Sequence, residues 1–182
     1  AAMSLDSDAC TALLVDEVRR HGVVVAWDQL VQPVLTGIGE RVRVTGTGIE
    51  VERLFSESVE LALRTAVRPR PAVAPRRRPA LLAALEPETH RLPLVALAAA
   101  LRERGVAHRL LGPGLPARAF AAAVTRTGPS AVFLWSQGAA DPPGPDVVGA
   151  VRPRPAVVLG GPGYQHDGWR PGVRWVDTLG TA

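Results

Sequence analysis

The sequence predicts two structural classes in one chain, an α-helical bundle followed by a doubly wound α/β domain. Three observations carry that reading. Apolar residues recur at helical spacing up to about residue 66, and beyond residue 80 short apolar runs alternate with helical segments. Between them, residues 67–79 read VRPRPAVAPRRRP, with four prolines and five arginines, a composition that supports neither a regular helix nor an inner strand. Finally, 182 residues with 47% apolar side chains are enough to bury a core. The expected organisation is a helical bundle over 1–66, an extended, semi-rigid linker over 67–79 and an α/β domain over 80–182.

In the first segment a helix is expected after Asp6, running to Arg20 with Ala9, Leu13, Leu14 and Val18 at helical spacing and a stop at His21-Gly22. A second reads from Val24 to about Arg41, placing Trp27, Leu30, Val31, Val34 and Ile38 on one face; Pro33 inside it predicts a kink. A third runs from about Ile49 to Ala66 after the TGTG turn, with Glu50, Arg53, Glu57, Glu60 and Arg64 as its polar stripe. Glu52 departs from that stripe. At 100° per residue it falls between Val59 and Leu63, on the side of Val51 and Phe55, where a carboxylate needs a partner or a ligand. A boundary Glu that reaches solvent or an Arg is the alternative.

In the second segment, Ala80–Leu85, Val106–Leu111, Ala131–Trp135, Ala156–Leu159 and Val173–Val176 read as strands. The helices between them are Leu94–Arg104, Pro116–Arg126 and a short one at Pro145–Val151. Near-continuously apolar strands alternating with helices predict a parallel sheet covered on both faces. Ligands of such sheets bind beyond the carboxyl ends of the strands, so the loops after Leu85, Leu111, Trp135 and Leu159 are the ones to search.

Charge and composition narrow the classes. All 21 basic residues other than histidine are arginine, alongside 18 Gly and 17 Pro, the residue usage of a GC-rich coding sequence. The net charge of +4 is therefore weak evidence for a polyanionic partner, and the linker arginines read first as a solvated tether. One cysteine, Cys10, excludes an internal disulfide and a cysteine-based zinc site. With neither a membrane span nor a secretory leader, a soluble cytoplasmic protein is expected.

The loop after the first strand reads Glu86-Pro87-Glu88-Thr89-His90. An imidazole two residues after an acid can bind a metal through one nitrogen while the other donates to the carboxylate. One histidine builds no protein zinc site, but it can supply one axial ligand to a metal already held by a macrocycle; a solvated loop histidine is the alternative. The third strand is followed by Ser136-Gln137-Gly138 and the fourth by Gly160-Gly161-Pro162-Gly163-Tyr164, glycines that permit close approach to backbone amides or simply turn the chain. No G-x-G-x-x-G fingerprint, phosphate-binding P-loop, nucleophile elbow or paired-carboxylate signature is present. His108 and His166 read as surface residues, and Trp135, Trp169 and Trp175 as packing.

Glu88-x-His90, the stretch ALRERGVAHRLLGPGLP, Ser136, Gly160-Gly161 and the domain order together resemble the cobalamin-binding half of MerR-family transcriptional regulators of the CarH/LitR photoreceptor class, from about Asp6 to Leu179. The resemblance implies a flavodoxin-like, cobalamin-binding Rossmann-like domain. It implies His90 on the lower face of cobalt, Ser136 with Gly160 and Gly161 along the displaced benzimidazole tail, and Glu52 in the bundle over the upper face. A non-enzymatic sensor follows, with adenosylcobalamin as cofactor and light as an input. Such a sensor would reach DNA only through an N-terminal domain outside this sequence, and homo-oligomers are allowed. The chain departs from the family in three places. Pro93 stands where the loop's glycine would be. Val42 and Arg43 stand where a Trp and a second histidine would lie over the metal, and Arg53 replaces the His after the bundle's acid. A corrinoid carrier for a methyltransferase shares the layout, and a diverged sensor for another tetrapyrrole is the third reading.

Overall fold

The computed structural model describes residues 2–68, 78–141, 152–164 and 172–182. The chain divides into two units, Ala1–Pro69 and Arg70–Ala182.

In the first unit, α1 (Ser7–His21) starts at Asp6, whose Oδ1 accepts the Ala9 amide at 2.9 Å and so satisfies one of the free donors of a helix start. Cys10, Leu14 and Val18 are its buried residues, facing α4 (Ile49–Ala66), which buries Val51, Phe55, Val59, Ala62 and Leu63. Leu13, expected on the buried face, is 66% exposed; the stripe is rotated by one position so that Cys10 takes the inner place.

The long second helix is interrupted as Pro33 requires. A short α2 (Val23–Ala26) passes into a π-helical turn at Trp27–Val31, where the Gln32 amide reaches back to the Trp27 carbonyl, and α3 (Gln32–Thr45) follows with Pro33 in its first turn. Proline lacks the N–H that would continue the ladder, and the wider turn absorbs the mismatch. Trp27 and Val31 are buried, whereas α3 buries no residue fully: Val34 and Ile38 are half-buried and Val44 is exposed.

The second unit is a five-stranded, all-parallel sheet in the order β2-β1-β3-β4-β5: β1 (Ala80–Leu85), β2 (His108–Leu115), β3 (Ala131–Trp135), β4 (Ala156–Gly160) and β5 (Val173–Val176). This is the doubly wound, flavodoxin-like order, with helices α5 (Leu92–Glu103) and α6 (Ala117–Thr127). Leu81, Ala83, Val132, Leu134, Val157 and Leu159 pack with Phe120 and Val124 of α6 in one core.

Strand β2 extends past its expected end at Leu111 through Gly112-Pro113-Gly114, its register against β1 shifting twice on the way. An edge strand tolerates that proline because no outer neighbour needs its amide. Helix α5 begins two residues earlier than expected, with Pro93 in the first turn, a position suited to proline. The expected helix at Pro145–Val151, His166, Trp169 and linker residues 69–77 lie outside the described residues. Arg78 is no solvated tether residue. Its guanidinium donates to the carbonyls of Gly128, of Pro129 at 2.7 Å and of Pro153 at 3.0 Å, tying the start of β1 to the connections that enter β3 and β4.

Candidate functional site

The strand order reverses between β1 and β3, and the loops leaving these two strands meet there. After β1 the chain turns through a cis Glu86–Pro87 peptide, and the Glu88 carbonyl accepts the Gly114 amide at 2.7 Å, fixing the loop against bulged β2. The Glu88 carboxylate is buried, at 8% exposure. Its Oε1 accepts both the His90 amide at 2.7 Å and His90 Nδ1 at 2.6 Å, and its Oε2 accepts the Gln137 amide from across the switch point.

Burial alone would raise the pKa of this carboxyl. The two backbone amides and the imidazole outweigh it and bring the group down to about 2. An ionised carboxylate only accepts, so Nδ1 carries the hydrogen, and Nε2 is the ring nitrogen that the neutral imidazole can offer to a ligand. The His90 side chain is 59% exposed. The loop thus holds one imidazole by its Nδ1 and presents Nε2 outward, the arrangement of a single axial ligand with its carboxylate orienter. Among the described residues no three His, Cys, Asp or Glu side chains cluster as a metal site.

Ser136 is buried, its Oγ donating to the Gly138 carbonyl at 2.8 Å and its amide to the Gly160 carbonyl at 3.1 Å. The glycines of the fourth loop pack directly on this turn. A Cβ on Gly161, at φ +99°, would sit 2.2 Å from the Ser136 carbonyl oxygen, and one on Gly163 would sit 1.8 Å from that of Gly138. The Gly163 amide donates to the Ser136 carbonyl at 3.0 Å and the Ala140 amide to that of Gly163 at 2.9 Å. These glycines therefore hold the β3 and β4 loops together, whereas Gly160, at the end of β4, leaves room for the Phe133 ring of β3, which a Cβ there would meet at 2.5 Å.

Of the expected site residues, Glu88, His90, Ser136, Gly160 and Gly161 all lie at the carboxyl edge of the sheet, with Glu88 and His90 in direct contact. Glu52 lies in the other unit, half-buried on α4 and accepting no hydrogen bond among the described residues. Val42 is half-buried near the end of α3, and Arg43 is tied to Glu40 by two hydrogen bonds.

Gln137, Gly163 and Tyr164 belong to the same constellation; the sequence places them in the loops to search but gives none of them a role of its own. Gln137 contributes only its backbone amide, for which no side-chain signal exists; its place at the switch point was the available clue. Tyr164 is buried, and that burial together with the nearby Glu88 charge pushes its phenol up to about 12.

No family model and no curated protein matches the chain. Solved structures do. A novel cobalamin-binding protein from Desulfitobacterium hafniense DCB-2 is 18% identical, with TM-score 0.39 over 91% of this chain and 82% of that one. The methanol:cobalamin methyltransferase complex of Methanosarcina barkeri gives 14% identity and TM-score 0.48 over 100% and 80%. The monomethylamine corrinoid protein of Methanosarcina barkeri gives 10% identity and TM-score 0.61 over 100% of this chain and 96% of that one. By the last of these, the chain has the fold of a corrinoid protein: a helical segment followed by a five-stranded parallel sheet with helices.

Proposed function

We propose that the protein is a cobalamin-binding module in which His90 supplies the lower axial ligand of cobalt. The observation that carries the reading is the Glu88–His90 pair, with Nδ1 on a buried carboxylate and Nε2 outward, at the switch point of the sheet. Bound cobalamin would supply a cobalt ion whose upper face exchanges ligands. The chain's own part is to orient the imidazole through its Nδ1 and hold the loop that presents it.

The use we propose is that of a sensor rather than a catalyst, the cobalamin-binding half of a MerR-type regulator loaded with adenosylcobalamin. Support for the sensor class lies in the sequence resemblance alone. The corrinoid-protein fold is equally that of a methyl-group carrier, which is the second reading. Light-switched locking by a second histidine is not part of the proposal. Val42 has no lone pair to offer, and the Arg43 guanidinium stays protonated and faces Glu40.

The test is titration with hydroxocobalamin and adenosylcobalamin, followed by absorption. Wild type should bind both with a histidine-ligated spectrum, and His90→Ala should weaken binding by about tenfold or more, the scale of a lost metal ligand, and shift the spectrum toward that of unligated cobalt. Unchanged affinity and spectrum in His90→Ala would remove the residue from the site.

A further inference from the structure

Among the described residues of the second unit, one buried side-chain polar atom has no hydrogen-bond partner, the indole Nε1 of Trp135. Buried donors are almost always paired, because an unpaired one has lost its hydrogen bond to water without replacing it. The same sheet edge holds a second tryptophan that follows the rule: Trp175, on β5, donates its Nε1 hydrogen to the Gly161 carbonyl at 3.3 Å. Packing alone does not account for an indole at Trp135, since a phenyl ring supplies apolar contact there without a stranded donor.

Trp135 is the last residue of β3 and directly precedes Ser136. Val132 and Leu134 of the same strand pack with Phe120 and Val124 of α6, so by strand alternation Phe133 and Trp135 lie on the other face of the sheet. On that face small residues flank the indole on both sides. Trp135 pairs with Gly160 of β4, and the pairing of Ala83 with Leu134 puts the fully buried Ala84 of β1 next to Trp135. A Cβ on Gly160 would sit 3.4 Å from Cε3 of the indole, and one on Gly161 would sit 3.1 Å from its Cδ2. The six-membered ring therefore lies against these glycines, and Nε1 belongs to the other side of the indole.

The ring as a whole is half-buried while its nitrogen is fully covered, so the donor lies just beneath a partly solvent-facing ring at the carboxyl edge and not deep in the core. His90 is exposed on the loop that leaves β1, so a cobalt bound to it is held outside that loop, and the corrin with it. A side chain still within a strand meets only a group that reaches back toward the sheet. In a cobalamin whose lower axial position is taken by a protein imidazole, the displaced nucleotide arm is such a group. It hangs from the lower side of the corrin and carries a phosphodiester, a ribose and a base, each with hydrogen-bond acceptors.

We propose that Trp135 is a ligand-binding residue whose indole N–H donates to an acceptor on the cofactor's nucleotide arm. The inference rests on the cobalamin reading and adds to it a side-chain donor at a position that the sequence reads as packing. Its consequence is specificity. A site with a buried donor waiting for the arm favours corrinoids that carry one over corrinoids that lack it, because only the former pair the donor.

The experiment is proton–nitrogen correlation NMR of the indole groups in the full protein, titrated separately with hydroxocobalamin and with cobinamide, which has the same corrin and cobalt but no nucleotide arm. Affinities are read in parallel by absorption. The Trp135 resonance, identified by its loss in Trp135→Phe, should move downfield with hydroxocobalamin, the sense of a new hydrogen bond, and stay in place with cobinamide. Trp135→Phe should weaken hydroxocobalamin by about three- to tenfold, the scale of one hydrogen bond, and leave cobinamide within about twofold. His90→Ala should weaken both. Should Trp135→Phe fail to fold by circular dichroism, the wild-type resonance, assigned through its backbone, carries the comparison. A Trp135 resonance that bound hydroxocobalamin leaves in place, or equal losses of both ligands in Trp135→Phe, would overturn the role of Trp135 and leave that of His90 standing. Failure of wild type to bind either ligand would overturn both.

Discussion

His90 is positioned by Glu88, and Glu88 is positioned by backbone amides from two different loops, so the smallest unit of this site spans three residues and one strand crossing. The depressed pKa of Glu88 turns this into a stability statement. A carboxylate whose folded pKa lies below its ordinary value stabilises the fold above about pH 4.5, and that contribution is lost as pH falls toward about 2. Urea midpoints of wild type should therefore drop between pH 5 and pH 3 more steeply than those of Glu88→Gln, which has no proton to take up at this position. Parallel slopes would show that the ionised carboxylate contributes nothing to the fold.

At the scale of elements, the loops after β3 and β4 behave as one piece because glycine lets their backbones touch. Gly161→Ala would place a methyl group against the Ser136 carbonyl in a left-handed backbone conformation. It should cost about 2 kcal/mol or more in urea unfolding and loosen the Gln137 amide from Glu88; a loss below about 0.5 kcal/mol would show the two loops to be independent. This lacing was not legible in the sequence, where the same glycines read either as a ligand cradle or as simple turns. The strands and α4 were legible, since their apolar pattern and bounding breakers agree: α4, β1, β3 and β5 have the ends the sequence predicts. The extension of β2 through Gly112-Pro113-Gly114 was hidden, because those residues signal a turn and only an edge position admits them. The kink at Pro33 is expected from the sequence, but its form, a π-helical turn ending two residues upstream, involves the buried Trp27 and Val31. Pairing of Glu88 with His90 was readable from their spacing; the partner of its second oxygen was not, because a main-chain amide leaves no mark in side-chain identity.

On the scale of the whole molecule, each unit carries a candidate group of its own, Glu52 in the first and His90 in the second. Glu52 is half-buried on α4, next to the buried Val51. If it serves the upper ligand, Glu52→Gln should reduce affinity for adenosylcobalamin more than for hydroxocobalamin, since only the former offers adenosine hydroxyl and amino donors to a carboxylate. Equal losses in calorimetric titrations would make the residue structural. The central claim, that this chain's own imidazole and not the cofactor's base ligates cobalt, is tested most directly by electron paramagnetic resonance of the cobalt(II) form bound to protein grown on ¹⁵N-histidine. The axial nitrogen should split the cobalt lines into triplets in unlabelled protein and doublets in labelled protein, with either pattern lost in His90→Ala. Triplets that persist in the labelled protein would mean that the cofactor's own base remains on cobalt, and would contradict the account.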